Sequence, residues 1–365
     1  MFTQTRATLR RAAQALTSPL PVDAYLAMID PLWSSTSPKG RVVTVTPETA
    51  RSATIVIHPG AGFGTYEAGQ WVTVGVEIDG VRHRRCYSLT SDPEHSGGLI
   101  SITVSAIPDG LVSNHLVYST EPGEYLTLEP AAGDFHLPTD RTVPMLFITG
   151  GSGITPAMGM IRTLVGAGEC HDVVLMHHAP TRAETIFADE LADLARTTPG
   201  LTVNIAHTGA GAPPPELALT PERLDRECPD WRSRTTWACG PAPMLDDAEA
   251  AFDGAGRPDR LSIERFAPKV RPGGAETGEG GRVRFTGAGA GTETVLDGST
   301  TLLEGAEAAG LTPAAGCRMG ICHTCVVPLE SGCVSDVRTG ELIDEPGTHV
   351  QICVSAAAGD VEIAL

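Results

Sequence analysis

The sequence predicts a multidomain protein in which an antiparallel β-barrel is followed by an α/β domain with a parallel sheet and then by a small α+β domain. Short alternating strands between residues 41 and 129, separated by Gly and Pro, are typical of a barrel. From about Pro144 strands alternate with helices, which indicates a parallel sheet with helices on both faces. Near the C-terminus, a C-x4-C-x2-C run is followed by a distant fourth cysteine.

Length, charge and cysteine content restrict the class of protein. The 365 residues are enough for two or three domains. A formal net charge of −18 argues against a nucleic acid partner. The N-terminus has no long apolar run, so we expect neither a signal peptide nor a membrane span. The nine cysteines lack a disulfide-like spacing, which fits a reducing cytoplasm.

Residues 1–38 form an N-terminal extension that differs from the rest of the chain. Arg6, Arg10 and Arg11 stand among Ala and Leu, and a second short helix is predicted over residues 22–29. Two interpretations remain open at this point. The extension is either a helical cap packed on the next domain or a contact surface for a partner or a membrane face.

Residues 39–140 are assigned to the barrel because their short segments alternate between apolar and polar side chains. We predict strands over 41–46, 53–57, 71–78, 81–89, 99–105 and 125–129.

Residues 141–267 are assigned to the α/β domain, and a Gly- and Pro-rich linker over 268–281 follows it. Thr155 is placed to cap a helix whose first residue is Pro156. The predicted strands are 145–149, 173–177, 201–206, 235–239 and 261–266, and the predicted helices are 187–196 and 243–252.

Residues 282–365 are assigned to the C-terminal domain. The pattern predicts a hairpin over 282–286 and 292–296, a helix over 301–309 ended by Gly310, and strands over 326–329 and 361–365. From residue 281 to the end there are 4 Arg+Lys against 11 Asp+Glu. We therefore expect this acidic domain to dock on a basic surface.

The cysteine spacing is that of a plant-type [2Fe–2S] site. Iron in such a cluster prefers soft thiolate ligands, and Gly316 and Gly320 allow the loop to approach it closely. The alternatives are buried or disulfide-bonded cysteines and zinc, although zinc more often uses paired C-x2-C knuckles. The candidate ligands are Cys317, Cys322, Cys325 and Cys353.

The end of the fourth barrel strand carries side chains that suit a flavin. Arg85 can pair with a phosphate, Tyr87 can stack on a flat ring, and Ser88 can bond a ring nitrogen. By itself this tetrapeptide is equally typical of an amphipathic strand. Residues 109–114 open a short helix whose free amides suit a pyrophosphate, and this second phosphate site favours FAD over FMN.

Two further turns suit a dinucleotide. The Gly-rich turn Gly150–Pro156 leads from a strand into a helix, where a phosphate can approach the bare backbone. Cys239 precedes Gly240 and Pro241 at the end of a later strand, although a buried structural cysteine is the alternative. Arg182 follows the second strand and favours NADPH over NADH, which stays possible.

Together these motifs resemble the ferredoxin–NADP reductase superfamily, in particular its oxygenase-reductase members. The resemblance implies an FAD-binding barrel, an NAD(P)-binding α/β domain and a β-grasp ferredoxin domain. It implies roles for Ser88, Cys239 and Glu264 in tuning the transfer. Ser105 and Pro180 depart from the family pattern, which bears on the choice of nucleotide. The implied flavin residues are Arg85, Tyr87, Ser88, Leu89, Ile102, Thr103, Val104, Gly110, Val112, Ser113 and Phe266, and the implied nucleotide residues are Gly150, Gly151, Gly153, Thr155, Arg182, Cys239, Gly240 and Pro241.

A narrower resemblance includes the N-terminal extension. The runs at residues 10–13, 18–20, 30–33 and 85–92 are similar to those of the electron-transfer partners of bacterial stearoyl-CoA desaturases. This implies that NADPH electrons pass to a membrane-bound di-iron acyl-CoA desaturase, with peripheral contact at the inner membrane face. A soluble ring-hydroxylating oxygenase or a cytochrome P450 is an alternative acceptor, and an iron–sulfur redox sensor is an alternative function.

Overall fold

The computed structural model describes residues 22–108, 110–209, 217–266, 280–289, 291–320 and 322–365. The chain divides into two compact units, Met1–Glu264 and Arg265–Leu365. The first part of the N-terminal extension, residue Asp109 of the predicted phosphate turn, and linker residues 267–279 lie outside the described residues.

The described part of the first unit begins with a short helix, α1 (Val22–Ile29), which is followed by a six-stranded antiparallel sheet. Its strands are β1 (Lys39–Thr49), β2 (Ser52–Pro59), β3 (Trp71–Ile78), β4 (Val81–Ser88), β5 (Ile100–Ser105) and β6 (Tyr125–Leu128). The strand order is β4-β3-β6-β1-β2-β5, and a bridge between Leu89 and Ile102 joins the two edges. The predicted antiparallel barrel is therefore confirmed.

The barrel core comes from side chains at alternate positions. Val72, Val74 and Val76 of β3 are at most 3% exposed, as expected for one face of a strand. Helix α2 (Leu111–Tyr118) adds Val112 and Leu116 to the same core. The start of α2 is thereby held against the strands that carry the flavin motif.

The second half of the first unit is a parallel sheet with order β11-β10-β7-β8-β9. Side chains at successive positions of its strands enter two hydrophobic cores, one on each face, as predicted for a sheet covered by helices. The strands are β7 (Met145–Gly150), β8 (Val173–Ala179), β9 (Leu201–His207), β10 (Thr235–Cys239) and β11 (Leu261–Glu264), and the helices are α3 (Ile154–Gly166), α4 (Ala188–Thr197), α5 (Pro221–Glu227) and α6 (Ala242–Gly254).

Two local predictions in this sheet were wrong. Thr155 does not cap a helix, because a 3₁₀ turn over Gly151–Gly153 runs directly into α3 and makes Thr155 its second residue. Its hydroxyl donates instead to the carbonyl oxygen of Ser152 (2.9 Å). Helix α5 was not predicted, although Thr220 caps it and Pro221 opens it.

Helix α3 also joins the parallel sheet to the barrel. Arg162 Nη1 donates to the Thr90 carbonyl oxygen (2.6 Å), and its Nε and Nη2 atoms donate to the two carboxylate oxygens of Glu190 (2.8 and 2.6 Å). A β-carbon at Gly159 would lie 2.5 Å from the Leu89 carbonyl oxygen, so only glycine allows this approach. The barrel strand with the flavin motif is therefore fixed relative to the dinucleotide turn.

The second unit contains a mixed sheet. Its strands are β12 (Gly281–Thr286), β13 (Thr292–Leu296), β14 (Val326–Asp336), β15 (Leu342–Ile343), β16 (His349–Gln351) and β17 (Ser355–Ala364). The strand order is β13-β12-β17-β14-β15, and β16 pairs with β14. The predicted hairpin of β12 and β13 is confirmed, and β12 also pairs in parallel with β17. Helix α7 (Leu302–Ala308) starts with a capping box between Thr301 and Glu304.

Strands β14 and β17 are longer than the sequence pattern indicated. Gly332 has φ +89° and lies at a register shift, so β14 continues through a bulge beyond the predicted end at residue 329. The small residues Ala356–Ala358 do not alternate in polarity, which hid the start of β17. The short strands β15 and β16 were not predicted.

Candidate functional site

The predicted flavin residues converge at the end of β4. Arg85 and Tyr87 lie two residues apart and therefore share one face of the strand. Burial raises the pKa of Tyr87 above its usual value, so the phenol stays neutral. Ser88 is 5% exposed, and its Oγ atom has no hydrogen-bond partner among the described residues. An unpartnered buried hydroxyl at this position fits a polar atom of a bound group.

The neighbouring strand β5 divides its side chains between two faces. Ile102 and Val104 belong to the barrel core, whereas Thr103 lies on the opposite face with its hydroxyl 2.8 Å from the Thr54 hydroxyl. Leu89 is fully buried in the same core as Ile102 and Val104. Any contact of Leu89, Ile102 or Val104 with a flavin would therefore come from the main chain.

The start of α2 presents backbone groups as the sequence predicted. Gly110 is its cap residue, and Ser113 Oγ and Asn114 Nδ2 both donate to the Gly110 carbonyl oxygen (3.2 and 2.8 Å). The Val112 side chain is buried in the barrel, so only its amide is available to an anion. These bonds fix the turn while leaving the helix N-terminus directed outward.

The two dinucleotide motifs pack backbone to backbone. A β-carbon at Gly153 would overlap the carbonyl group of Cys239 and lie 2.7 Å from the Gly240 amide nitrogen. A β-carbon at Gly240 would lie 2.9 Å from the Gly150 amide nitrogen, and one at Gly150 would lie 2.7 Å from Pro241 Cδ. Gly151 instead has φ +54° with open space around it. The glycines therefore allow the motifs to meet at the carboxyl edge of the sheet.

One row of side chains crosses the sheet at this edge. Glu264 pairs in register with Cys239, Cys239 with Thr149, and Thr149 with His177. Residues in register point to the same face of a sheet, so the four side chains form a continuous line. Thr149 Oγ1 and His177 Nδ1 are 2.8 Å apart.

This row is uncharged at neutral pH. Burial raises the pKa of Glu264 to about 8, and its Oε2 atom is buried without a protein partner among the described residues. Burial, and then the nearby Glu264, raise the pKa of the Cys239 thiol well above its usual value. Burial lowers the pKa of His177 to about 3. The edge can therefore receive a ligand through neutral hydrogen-bonding groups.

Two other predicted residues lie apart from this row. Arg182 is exposed in a 3₁₀ turn directly after β8, and within the described part of the chain it has no ion-pair partner. This position beyond a parallel strand suits a phosphate of a nucleotide. Phe266 belongs to the second unit and is 43% exposed.

The four predicted cysteine ligands lie close together as two pairs. The Cys317 amide donates to Cys322 Sγ (3.2 Å), and the Cys322 amide donates to Cys317 Sγ (3.3 Å). The Cys353 thiol donates to Cys325, which lowers the pKa of Cys325 and raises that of Cys353. All nine cysteines are among the described residues, and none is in a disulfide. The disulfide interpretation is therefore wrong.

This arrangement fits a two-iron cluster better than zinc. Among the described residues, no three His, Cys, Asp or Glu side chains surround a single-ion site. A [2Fe–2S] cluster instead takes two thiolates on each iron, as the two cysteine pairs offer. The Met319 amide also donates to Cys317 Sγ (3.3 Å), an amide–sulfur bond of the kind that supports such clusters.

Comparisons with known families agree with this geometry. Residues 44–137 match the oxidoreductase FAD-binding domain, residues 147–250 the oxidoreductase NAD-binding domain, and residues 285–358 the 2Fe-2S iron-sulfur cluster binding domain. The chain belongs to the ferredoxin-reductase-type flavoproteins that carry a C-terminal [2Fe–2S] domain. It is an NAD(P)H-dependent oxidoreductase with FAD-binding, NAD(P)-binding and [2Fe–2S] domains.

Individual relatives cover most of the chain. It is 46% identical to an NADPH oxidoreductase of Mycobacterium tuberculosis over 96% of this chain and 90% of that protein. It is 30% identical to a glycine betaine monooxygenase reductase subunit of Pseudomonas aeruginosa over 82% of this chain and 87% of that protein. Phthalate dioxygenase reductase shares the fold, with a TM-score of 0.63 and 23% identity over 90% of this chain and 97% of that chain.

Sequence reasoning missed several residues of these sites. Thr149 and His177 join the row only because β7 and β8 pair in parallel register, and no local motif signals this. Arg162 stands mid-helix without a recognisable pattern.

Within the described residues, no helix is long and apolar enough to cross a membrane.

Proposed function

We propose that this chain carries electrons from NADPH, through FAD and a [2Fe–2S] cluster, to a membrane-bound di-iron acyl-CoA desaturase. The observation that carries the NADPH-dependent part is 46% identity to an NADPH oxidoreductase over 96% of the chain, and the desaturase acceptor is supported by the sequence resemblance that includes the N-terminal extension. When bound, the nicotinamide supplies a hydride, the flavin accepts two electrons and releases them singly, and the cluster passes on one at a time.

The flavin residues act by holding and orienting. Arg85 binds a flavin phosphate, Tyr87 stacks on the ring system, and the amides at the start of α2 bind the pyrophosphate. Ser88 donates to the flavin ring, and its buried, unpartnered Oγ atom supports this role. Leu89, Ile102 and Val104 provide a rigid wall because their side chains are packed in the barrel core.

The nucleotide residues supply a close backbone approach and a neutral surface. The packed glycines of the two motifs admit the dinucleotide at the sheet edge. Cys239 and Glu264 stay uncharged there, so they exclude water and orient the nicotinamide without fixing a charge beside it. Arg182, exposed beyond β8, binds the 2′-phosphate and makes NADPH the preferred donor.

The four cysteines would hold the cluster as two pairs, Cys317 with Cys322 and Cys325 with Cys353. Their hydrogen-bonded pairing supports this division. Their thiols would lose their protons when the iron binds, because the thiolate is the ligand.

The N-terminal region makes peripheral contact with the cytoplasmic face of an anionic membrane. Met28 and Ile29 of α1 are 71% and 72% exposed, and the nearby Trp33 is 50% exposed. The sequence before α1 contains three arginines and no acidic residue, in contrast to the net charge of −18 for the whole chain. Exposed apolar and aromatic side chains beside basic residues suit a lipid interface.

A reductase for a soluble oxygenase is the second candidate function. It is favoured by the 30% identity to a glycine betaine monooxygenase reductase subunit. The two functions differ in where the electrons go, so they separate in a reconstituted assay. An iron–sulfur sensor is disfavoured because it would not need complete flavin and nucleotide sites.

The test combines purified protein and NADPH with membranes that contain a di-iron acyl-CoA desaturase, and measures conversion of stearoyl-CoA. A parallel reaction supplies a soluble oxygenase component. The proposal predicts NADPH-dependent desaturation, whereas turnover of the soluble oxygenase alone would contradict it. The Cys325→Ser variant is the matched control, because it should still reduce ferricyanide with NADPH but should not support desaturation.

A further inference from the structure

The cysteine loop of the second unit contains backbone conformations that are unfavourable for the residues that adopt them. Arg318 and His323 have φ of +60° and +55°, and Gly320 has φ +74°. Left-handed conformations are unfavourable for residues other than glycine. A loop with this geometry needs contacts from outside to keep it in place.

Those contacts converge on one carbonyl group, that of Gly320. Arg338 Nη1 donates to the Gly320 oxygen (3.2 Å), and Gln351 Nε2 donates to the same oxygen (2.9 Å). Arg338 follows β14, and Gln351 ends β16 two residues before Cys353. The two donors therefore tie the three-cysteine loop to the strand that leads to the fourth cysteine.

Arg338 is itself held in a fixed orientation. Its Nε and Nη2 atoms donate to the two carboxylate oxygens of Asp336 (3.1 and 2.6 Å), a forked geometry that only arginine can make. The Nη2 atom also lies 3.4 Å from Gln351 Oε1. The Arg338 side chain is 31% exposed and that of Asp336 is 14% exposed, so this pair is partly shielded from water.

Gly320 lies beside an amide–sulfur bond of the cysteine loop. Gly320 directly follows Met319, whose amide donates to Cys317 Sγ (3.3 Å), and its own carbonyl oxygen accepts from Arg338 and Gln351. A β-carbon at this position would overlap Arg338 Nη1. Fixing the Gly320 carbonyl therefore holds this loop, with its amide–sulfur bonds, against the strand that leads to Cys353.

We infer that Arg338, supported by Asp336 and Gln351, is a positioning residue that clamps the Gly320 carbonyl and so holds the cysteine loop, with its amide–sulfur bonds, against the strand that leads to Cys353. This inference rests on the proposed role of the cysteines as cluster ligands. Asp336 offsets the charge of Arg338, so the clamp works mainly through geometry. Hydrogen bonds to the ligand sulfurs raise the reduction potential of an iron–sulfur cluster and stabilise it against loss of iron.

The test uses the full-length chain with its flavin and cluster, and compares Arg338→Gln with Arg338→Lys. Lysine keeps the positive charge but cannot form the fork with Asp336 and reach Gly320 in the same way. We expect both variants to lose iron to a chelator roughly tenfold faster or more, and to show a lower cluster reduction potential in an EPR-monitored titration. Gln351→Leu removes the second donor and should act in the same direction.

Arg284→Gln is the matched control. Arg284 lies in the same unit, pairs with Glu362 on an exposed strand, and has a side chain that is 57% exposed. It removes the same charge without touching the cysteine loop, so its cluster should behave as in the wild type.

Three results would overturn the inference. In the first, Arg338→Gln loses iron no faster than Arg284→Gln and has the same cluster reduction potential. In the second, Arg338→Lys behaves as the wild type, which would mean that charge and not geometry matters. In the third, the wild type takes up no cluster, which would overturn the proposed function as well, whereas the first two leave that function intact. Should Arg338→Gln fail to fold, Arg338→Lys and Gln351→Leu decide the question by the same measurements.

Discussion

Replacing Gly153 with alanine tests whether the two dinucleotide motifs meet as the structure describes. The new β-carbon would overlap the Cys239 carbonyl group and lie 2.7 Å from the Gly240 amide nitrogen. Ordinary contacts of a β-carbon begin at 3.4 Å, so the backbones must separate by about 0.7 Å (3.4 minus 2.7) at the Gly240 nitrogen and by more at the Cys239 carbonyl group. Neither neighbour is a flexible side chain, so neither can simply rotate away.

The displacement should affect nucleotide use more than folding. Forced overpacking in a core costs about 1–3 kcal/mol, and a misplacement near 1 Å can lower a rate by about a hundredfold. We therefore expect the Gly153→Ala variant to show kcat/KM for NADPH reduced by about a hundredfold with ferricyanide as acceptor. Its flavin and iron content should stay at wild-type levels, because the proposed flavin and cluster residues are elsewhere.

Gly254→Ala is the matched control for this substitution. Gly254 is the last residue of α6, and a β-carbon there would meet nothing within 4 Å. This variant should keep wild-type activity and gain up to about 1 kcal/mol of stability, since alanine restricts the unfolded chain. Wild-type kcat/KM in the Gly153→Ala variant would refute the packing argument. Loss of flavin in that variant would show that the substitution disturbs the flavin-binding barrel instead.

Three further substitutions address the proposed roles. Ser88→Ala should slow reduction of the flavin by NADPH about tenfold in stopped flow while flavin affinity changes less, and equal losses would remove the role of Ser88. Arg182→Glu should raise KM for NADPH at least tenfold and leave KM for NADH nearly unchanged, whereas equal effects on both would exclude a 2′-phosphate contact. Glu264 has a folded-state pKa of about 8 against 4.5 for an ordinary glutamate, so its stabilising contribution is complete below pH 4.5 and is lost as pH rises through 8. The free energy of unfolding of the wild type should therefore fall relative to Glu264→Gln by about 1.4 kcal/mol per pH unit in this window, and parallel denaturation curves would contradict that pKa.

The sequence predicted best those elements whose side-chain pattern is periodic. Strands β3, β10 and β13 have the predicted bounds, because their alternating or continuous apolar runs are cut off by turn residues. The first four residues of β14 were predicted, but its continuation past residue 329 was not, because a bulge at Gly332 carries the strand on through a positive φ. Thr155 was taken for a cap because the sequence does not reveal the 3₁₀ turn that starts the helix earlier.

The candidate sites divide in the same way. Motifs local in sequence, such as Arg85 to Ser88 and the cysteine loop, could be recognised directly. The row from Glu264 to His177 depends on strand order in a parallel sheet, which joins residues far apart in the chain. The role of Arg338 could not be predicted from the sequence either, because its contact with Gly320 depends on the fold of the second unit.

The most direct test of the electron path is an anaerobic titration of the purified protein with NADPH, followed by absorbance and EPR together. The account predicts that the flavin bleaches and that the cluster becomes paramagnetic in the same titration, with NADPH acting faster than NADH. A flavin that NADPH reduces beside a cluster that stays oxidised would contradict the account, as would protein that binds neither flavin nor acid-labile sulfide after reconstitution.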